Sequence, residues 1–339
     1  MGGICKALKI KLYFCSFIKS MKTNKSFYTL LTLVVFTTAL YAQSGKFSTP
    51  SHNEAVELKD RQPIMVLNSL SPNLIKEFNK NEDEQSIDLY TKTNDEFNDN
   101  LKASAKFWTF NSKPVLFKTR EEVRELLKNG SDKYVLIYCC NWMEFNRELS
   151  WNINANANVV SGSFPEFGIS TDLKRIPIYG ATLDMLIPEE ADFAYYLLRE
   201  SYIFKYEAGS QKSVDLKDMV NENKHILSQK TLLISSACVN EDMEDNLKAN
   251  YPFKYQVVSQ SDLEDSVLAL APSCAYLYTT GFADIANHSY MCWVVNCSDG
   301  AILAYSDATK TSAEMNDLMA TFKLNNNVLK DIAKFGTKK

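Results

Sequence analysis

The sequence predicts an α/β to α+β protein of two similar mixed-sheet lobes joined by helices, and three observations predict it. Tyr134-Val135-Leu136-Ile137-Tyr138-Cys139 is an unbroken apolar run with the length and β-rich composition of a strand buried on both faces. Residues 115–138 match residues 255–278 without gaps, at a spacing of 140, in strand–helix–strand order, which an internal duplication would explain. Ser298-Asp299-Gly300 separates the apolar runs Tyr290–Val295 and Ala301–Tyr305, the pattern of an antiparallel hairpin.

Taken in chain order, the first feature is an export signal. Lys22 and Lys25 follow Met21 as a positive segment, and Tyr28–Leu40 is an uncharged stretch of signal-peptide length, short for a bilayer span. Residues 1–42 are expected to be the signal region, with cleavage after Ala42. Residues 1–20, with four lysines and no acid, read as an extended positive region or as an alternative start. No cysteine follows the apolar stretch to carry a lipid, and Lys6 stands where a myristoylation signal needs Ser or Thr. Six of the 37 basic residues lie before the cut, so the mature chain carries 31 against 41 acidic side chains, a formal charge of −10 rather than −4. That balance, with no Lys/Arg patch, argues against nucleic acid as a partner. No later segment reaches transmembrane length.

Residues 43–62 are polar and are expected to form a disordered start. The first lobe, 63–185, opens with a strand at Ile64–Leu67 and a helix from Ser71-Pro72, an N-cap followed by an N1 proline. Residues 80–105 read as a charged, Asn-rich surface connection with a helix toward Leu101. Phe107–Phe110 and Val115–Phe117 read as strands. Thr119 caps a helix with Val123, Leu126 and Leu127 on one face, and Asn129-Gly130 ends it. Trp151–Val159 alternates apolar and Asn positions, as a half-buried strand does. A helical connector, 186–228, holds an aromatic helix from Pro188 to about Tyr206 and a polar one over Val214–Ile226.

The second lobe, 229–339, repeats the order. Strand Thr231–Ile234, helix Asn240–Asn250, strand Phe253–Val258, a helix to Leu270 capped by Ser259 or Ser261, and strand Ala275–Tyr278 precede the hairpin. Helices at Ala313–Phe322 and Val328–Phe335 close it. At the 140 spacing Thr119 meets Ser259, Glu122 meets Asp262, Val123 meets Leu263, and Leu127 meets Val267.

Chemistry-bearing residues are few. The mature chain has six cysteines, at 139, 140, 238, 274, 292 and 297, with neither a CxxC site nor scaffold-like spacing, and most read as buried small hydrophobes. No metal or cofactor motif occurs. One constellation has the types a thiol hydrolase uses: Cys238 before a helix, His288 opening a strand, Asp307 closing the next. In that order it resembles the transglutaminase-like cysteine hydrolases over about 70 residues. The resemblance implies nucleophile, base and orienting acid in turn. The chain departs from that family in reaching Cys238 from a strand and in carrying an additional helix and strand over Ser261–Tyr278. The 140 spacing also sets Glu148 opposite His288, a framework repeated without the chemistry, so Cys238 and His288 are expected not to form a dyad. A second candidate, Trp142 and Trp151 with Asn152 and Asn154, has the makings of a sugar-stacking platform, although aromatic residues mostly serve burial.

Lys230-Thr-Leu-Leu-Ile234, Tyr251-Pro-Phe253 and the terminal hairpin resemble secreted bacterial proteins without an assigned activity. The expectation is therefore an exported, non-enzymatic protein at the cell envelope that binds a macromolecule or glycan. The enzyme alternative is the Cys/His/Asp hydrolase, and the third reading is a structural or assembly module.

Overall fold

The computed structural model describes residues 50–81, 84–140, 166–171, 173, 179–182, 188–211, 215–239, 243–284, 287–311 and 324–337. Two five-stranded mixed sheets carry the fold. The first contains β1 (Gln62–Leu67), β2 (Leu116–Thr119), β3 (Tyr134–Cys140), β4 (Glu166–Ser170) and β5 (Tyr179–Thr182), in the order β2-β1-β3-β4-β5. The second contains β6 (Thr231–Ser235), β7 (Tyr255–Val258), β8 (Cys274–Asp284), β9 (Asn287–Asn296) and β10 (Ile302–Thr311), in the order β7-β6-β8-β9-β10. In each sheet the first three strands are parallel and the last two antiparallel. The second lobe thus repeats the first strand for strand.

Register carries the repeat to single residues. Ile64 pairs with both Leu116 and Leu136, and Leu233 pairs with both Gln256 and Tyr276, so the spacing of 140 maps β2 and β3 onto β7 and β8. Between them lie α4 (Arg120–Leu127) and α8 (Gln260–Leu268). Thr119 and Ser259 cap these helices, accepting hydrogen bonds from the amides of Glu122 at 3.3 Å and Asp262 at 3.1 Å, and Val123 and Leu263 are both buried. Beyond β3 the spacing changes. Cys139 pairs with Phe167 while Thr279 pairs with Cys292, so Phe167 is the counterpart of Cys292. The alignment of Glu148 with His288 therefore does not extend into β9, and Glu148 itself lies outside the described residues.

Each lobe also begins and ends with a packed pair of helices. In the first, α1 (His52–Lys59) packs on α5 (Glu190–Gly209); in the second, α6 (Leu216–Leu227) packs on α9 (Asn326–Thr337). Helices α2 (Pro72–Lys80) and α3 (Glu84–Ala103) follow β1, and α7 (Met243–Asn250) follows β6. In the first lobe Ile64, Val66, Leu136 and Tyr138 face α4, while Met65, Val135, Ile137, Phe167 and Ile169 face α5. In the second lobe the α8 side, with Leu233, Tyr276 and Trp293, joins that same α5 core, and the opposite side packs on α6, α7 and α9. The lobes are therefore arranged head to tail: opposite faces of the two equivalent sheets close on one helix. This explains why α5 is buried around most of its circumference, the mark of a central helix.

Several expectations are corrected. The start is helical from residue 52: Ser51 and Glu54 form a capping box on α1. Residues 84–103 make one long helix, because Tyr90, Asn94, Phe97 and Leu101 recur on its buried face. Pro188 precedes the N-cap Glu189 of α5. The expected strand at Phe107–Phe110 is a 3-10 turn followed by irregular chain. There Ser201 of α5 takes the place of a strand neighbour, donating to Phe107 O at 3.2 Å and accepting from Thr109 N at 3.1 Å. The alternating segment Trp151–Val159 and the helix expected over Ala313–Phe322 lie outside the described residues.

Asn111 fixes this irregular chain. Its amide nitrogen donates to the carbonyls of Leu58, Lys59 and Arg61 at 2.8, 2.9 and 3.1 Å, and its oxygen accepts from Trp108 Nε1 at 2.9 Å. Asn111→Ala leaves a buried indole N–H and buried carbonyls unsatisfied and is expected to cost about 2 kcal/mol. Urea denaturation checks this, with the midpoint lowered and the m-value unchanged.

Candidate functional site

Cys238 ends a 3-10 turn, Ser236–Cys238, directly after β6, where the turn forms because Ser235 accepts from Ala237 N. The residue is half-buried and packs on the apolar cluster of Leu232, Ile234, Leu277, Cys292 and Val294. Its carbonyl accepts from Leu324 N at 2.9 Å, tying β6 to the chain leading into α9. Burial, reinforced by the neighbouring Cys238, pushes the Cys292 thiol up to about 12. Cys238 thus lies beside a thiol that burial holds neutral.

His288 lies near the start of β9, paired in register with Ala283 and Thr311, and Asp307 lies in the irregular stretch of β10 between the Ser306 and Thr309 pairings. The side chains of both are outside the described residues. Two backbone relations are defined. β8 separates β6 from β9, so two strand spacings, about 10 Å, lie between those strands. Cys292, whose thiol is influenced by Cys238, lies four residues along β9 from His288, about 13 Å of strand. Trp142, Trp151, Asn152 and Asn154 all lie outside the described residues.

Two further constellations were not read from the sequence. Arg199 and Glu200 of α5 are 1% and 3% exposed, and Arg199 Nε and Nη2 donate to Glu200 Oε1 at 3.1 and 2.8 Å. The guanidinium lies 5.1 Å from the ring centre of Trp293 and 5.6 Å from those of Tyr196 and Tyr278. Burial pushes the Glu200 carboxyl up while Arg199 pulls it back. On Arg199 burial acts downward, but Glu200 and the tyrosines hold it above its ordinary value. The sequence signal is a pair of adjacent charges in the middle of a helix rich in aromatic and aliphatic residues. This cluster belongs to the core that joins the lobes.

The other is an open groove of about 730 Å³ along the outer face of α3, lined by Asp88, Thr91, Lys92, Asp95, Glu96, Asp99 and Asn100. Helical spacing aligns Asp88, Lys92, Asp95 and Asp99 on one stripe. Lys102 pairs with Asp99 at 3.0 Å, and Asn100 donates to Pro188 O at 3.2 Å, fixing the end of α3 to the start of α5. The groove offers hydrogen-bonding groups and excess negative charge, with no thiol or histidine in its lining.

Among the described residues no group of three or more His, Cys, Asp or Glu side chains is placed to hold a metal ion, and no helix is long and apolar enough to cross a membrane. No family model, curated protein or solved structure matches the chain. Fold and geometry thus define a two-lobed α/β protein with a repeated mixed sheet.

Proposed function

We propose that the mature chain is an exported, non-enzymatic protein of the cell envelope or extracellular space that binds a macromolecule or glycan. The observation that supports this reading most is the acidic, hydrogen-bonding stripe of Asp88, Lys92, Asp95 and Asp99 along the exposed face of α3. Cys238 packs on an apolar cluster beside the buried thiol of Cys292. We read Cys238 as a packing residue and the Cys238–His288–Asp307 order as incidental. The acidic balance of the mature chain and the hydrogen-bonding groups along α3 suit a hydroxyl-rich or basic partner.

Co-sedimentation of the purified mature chain with envelope fragments tests the proposal. Saturable binding is expected, unchanged in Cys238→Ala and weakened about tenfold by Asp88→Lys with Asp95→Lys, the loss of one to two charge-assisted hydrogen bonds. Loss of binding after periodate treatment of the fragments marks a glycan, and loss after protease marks a protein. Absence of saturable binding, or a thiol-dependent hydrolase activity abolished by both Cys238→Ala and His288→Ala, would overturn it.

A further inference from the structure

We propose that Cys274 and Cys297 form a cross-strand disulfide that closes the β8–β9 hairpin at its open end. The inference rests on the export reading above for its oxidising compartment and on the sheet for its geometry. Ala275 pairs with Asn296, so the next residues outward, Cys274 and Cys297, stand opposite each other, and Cys297 N donates to Cys274 O at 3.1 Å. Hydrogen-bonded antiparallel pairs have Cα atoms about 5.5 Å apart, inside the range a disulfide spans.

Side-chain direction agrees. Alternation puts Cys274 on the face of β8 that carries Tyr276 and Tyr278, and Cys297 on the face of β9 that carries Trp293 and Val295. All six belong to the single core that closes on α5. The Cys297 thiol also registers Cys274: burial, with Cys274 adding to it, pushes Cys297 up to about 12. Cys139 and Cys292 lie elsewhere in the sheets and have no cysteine opposite them in register: Cys139 faces Phe167, and Cys292 faces Thr279 and Ser306.

Cys297 is fully buried once α5 is in place, so the bond is made during folding, while both thiols are accessible. The chemistry is thiol–disulfide exchange with a carrier disulfide, either a protein oxidase of the compartment or a low-molecular-weight disulfide. The thiolate of Cys274 attacks one carrier sulfur, breaking the carrier S–S bond and releasing a carrier thiolate. The thiolate of Cys297 then attacks Cys274 Sγ and displaces the second carrier thiolate. The two cysteines lose two protons and two electrons, and the carrier is reduced to its dithiol or two thiols.

The chain, expressed with its leader, recovered from the envelope fraction and alkylated under denaturing, non-reducing conditions, tests this by peptide mapping. A linked pair of peptides containing Cys274 and Cys297 is expected, with the intact chain about 2 Da lighter than its reduced form. Recovery from the envelope with both thiols alkylated, or with Cys238 joined to Cys292 instead, overturns the disulfide while leaving export intact. Should the chain remain in the cytoplasm, the export reading fails alone. The pair is then decided by refolding the purified reduced chain with oxidised glutathione. The same linked peptides support it, and both thiols alkylated, or a different pairing, overturn it. Closing this loop is expected to raise the Tm of the oxidised chain by on the order of 5 °C, a gain absent from Cys274→Ser and Cys297→Ser.

Discussion

Replacing Arg199 by alanine is expected to destabilise the protein by roughly 3–5 kcal/mol, because it leaves the Glu200 carboxylate buried without its partner. The side chain also packs against Tyr196, Tyr278 and Trp293, so its removal opens space in the layer where α5 meets the second sheet. The deficit depends on pH. Without Arg199, burial alone acts on Glu200 and holds its folded-state pKa further above the unfolded value. A carboxyl raised in this way is destabilising above its unfolded pKa, so the deficit grows as pH rises toward the folded value. It shrinks as pH falls into the ordinary glutamate range, where both states are protonated. Replacing both members, Arg199→Met with Glu200→Leu, is expected to cost less than Arg199→Ala alone, since a buried pair exchanged for apolar side chains leaves no unpaired charge. Urea titrations of the three variants at neutral pH and near pH 5 measure these differences.

The second large effect is expected at Gly300, in the turn between β9 and β10. Its φ of +78° lies in the left-handed region, and a Cβ there would stand 2.1 Å from Leu198 O and 2.5 Å from Leu198 C, backbone atoms of α5. The turn cannot slide aside freely, since Gly300 N donates to Asn296 O at 3.0 Å and Asp299 Oδ1 accepts from Ala301 N at 2.9 Å. Gly300→Ala therefore combines backbone strain with a clash against a central helix, on the order of 4 kcal/mol together. Gly300→Asn separates the two causes. Asparagine tolerates the left-handed conformation but still carries a Cβ, so it is expected to be nearly as destabilising as alanine. Gly209→Ala, at the end of α5 where an added Cβ would meet nothing within 4 Å beyond its own helix, is the contrasting case, expected to be neutral or slightly stabilising. Thermal unfolding of all three variants reads out the ranking.

The repeated unit was legible because its signals are local. Thr119 and Ser259 are N-caps followed by an acidic N3 residue, and Tyr134–Cys139 is apolar at every position, so strand, cap and helix follow from adjacent residues. The strand order and the mixed parallel and antiparallel pairing agree with that reading. The length of α3 was hidden by composition: asparagine and aspartate favour turns, yet Tyr90, Phe97 and Leu101 hold the segment helical through tertiary burial. The capping box of α1 was present in Ser51 and Glu54, within a stretch too polar to suggest packing.

The core pair was not legible for a different reason. Arg199 and Glu200 are charged, and charged residues on a helix ordinarily face water. Only the closing of both sheets on α5 removes water from them, a property of the assembly of lobes and of no local window. The same holds for Gly300, whose need for an absent Cβ comes from Leu198, far away in sequence. Of the expected site, Cys238 was correctly located at the end of a strand. Its apolar surroundings come from β8 and β9, which sequence spacing does not reveal.

One helix, α5, is the shared core of two head-to-tail lobes, and hydrogen exchange in Arg199→Ala tests this most directly. Peptides spanning β1 and β3 in the first lobe and β6 and β8 in the second should lose protection together, by a similar free energy, because both sheets close on α5. Loss of protection confined to β6 and β8, with β1 and β3 as slow to exchange as in the unsubstituted protein, would contradict a shared core.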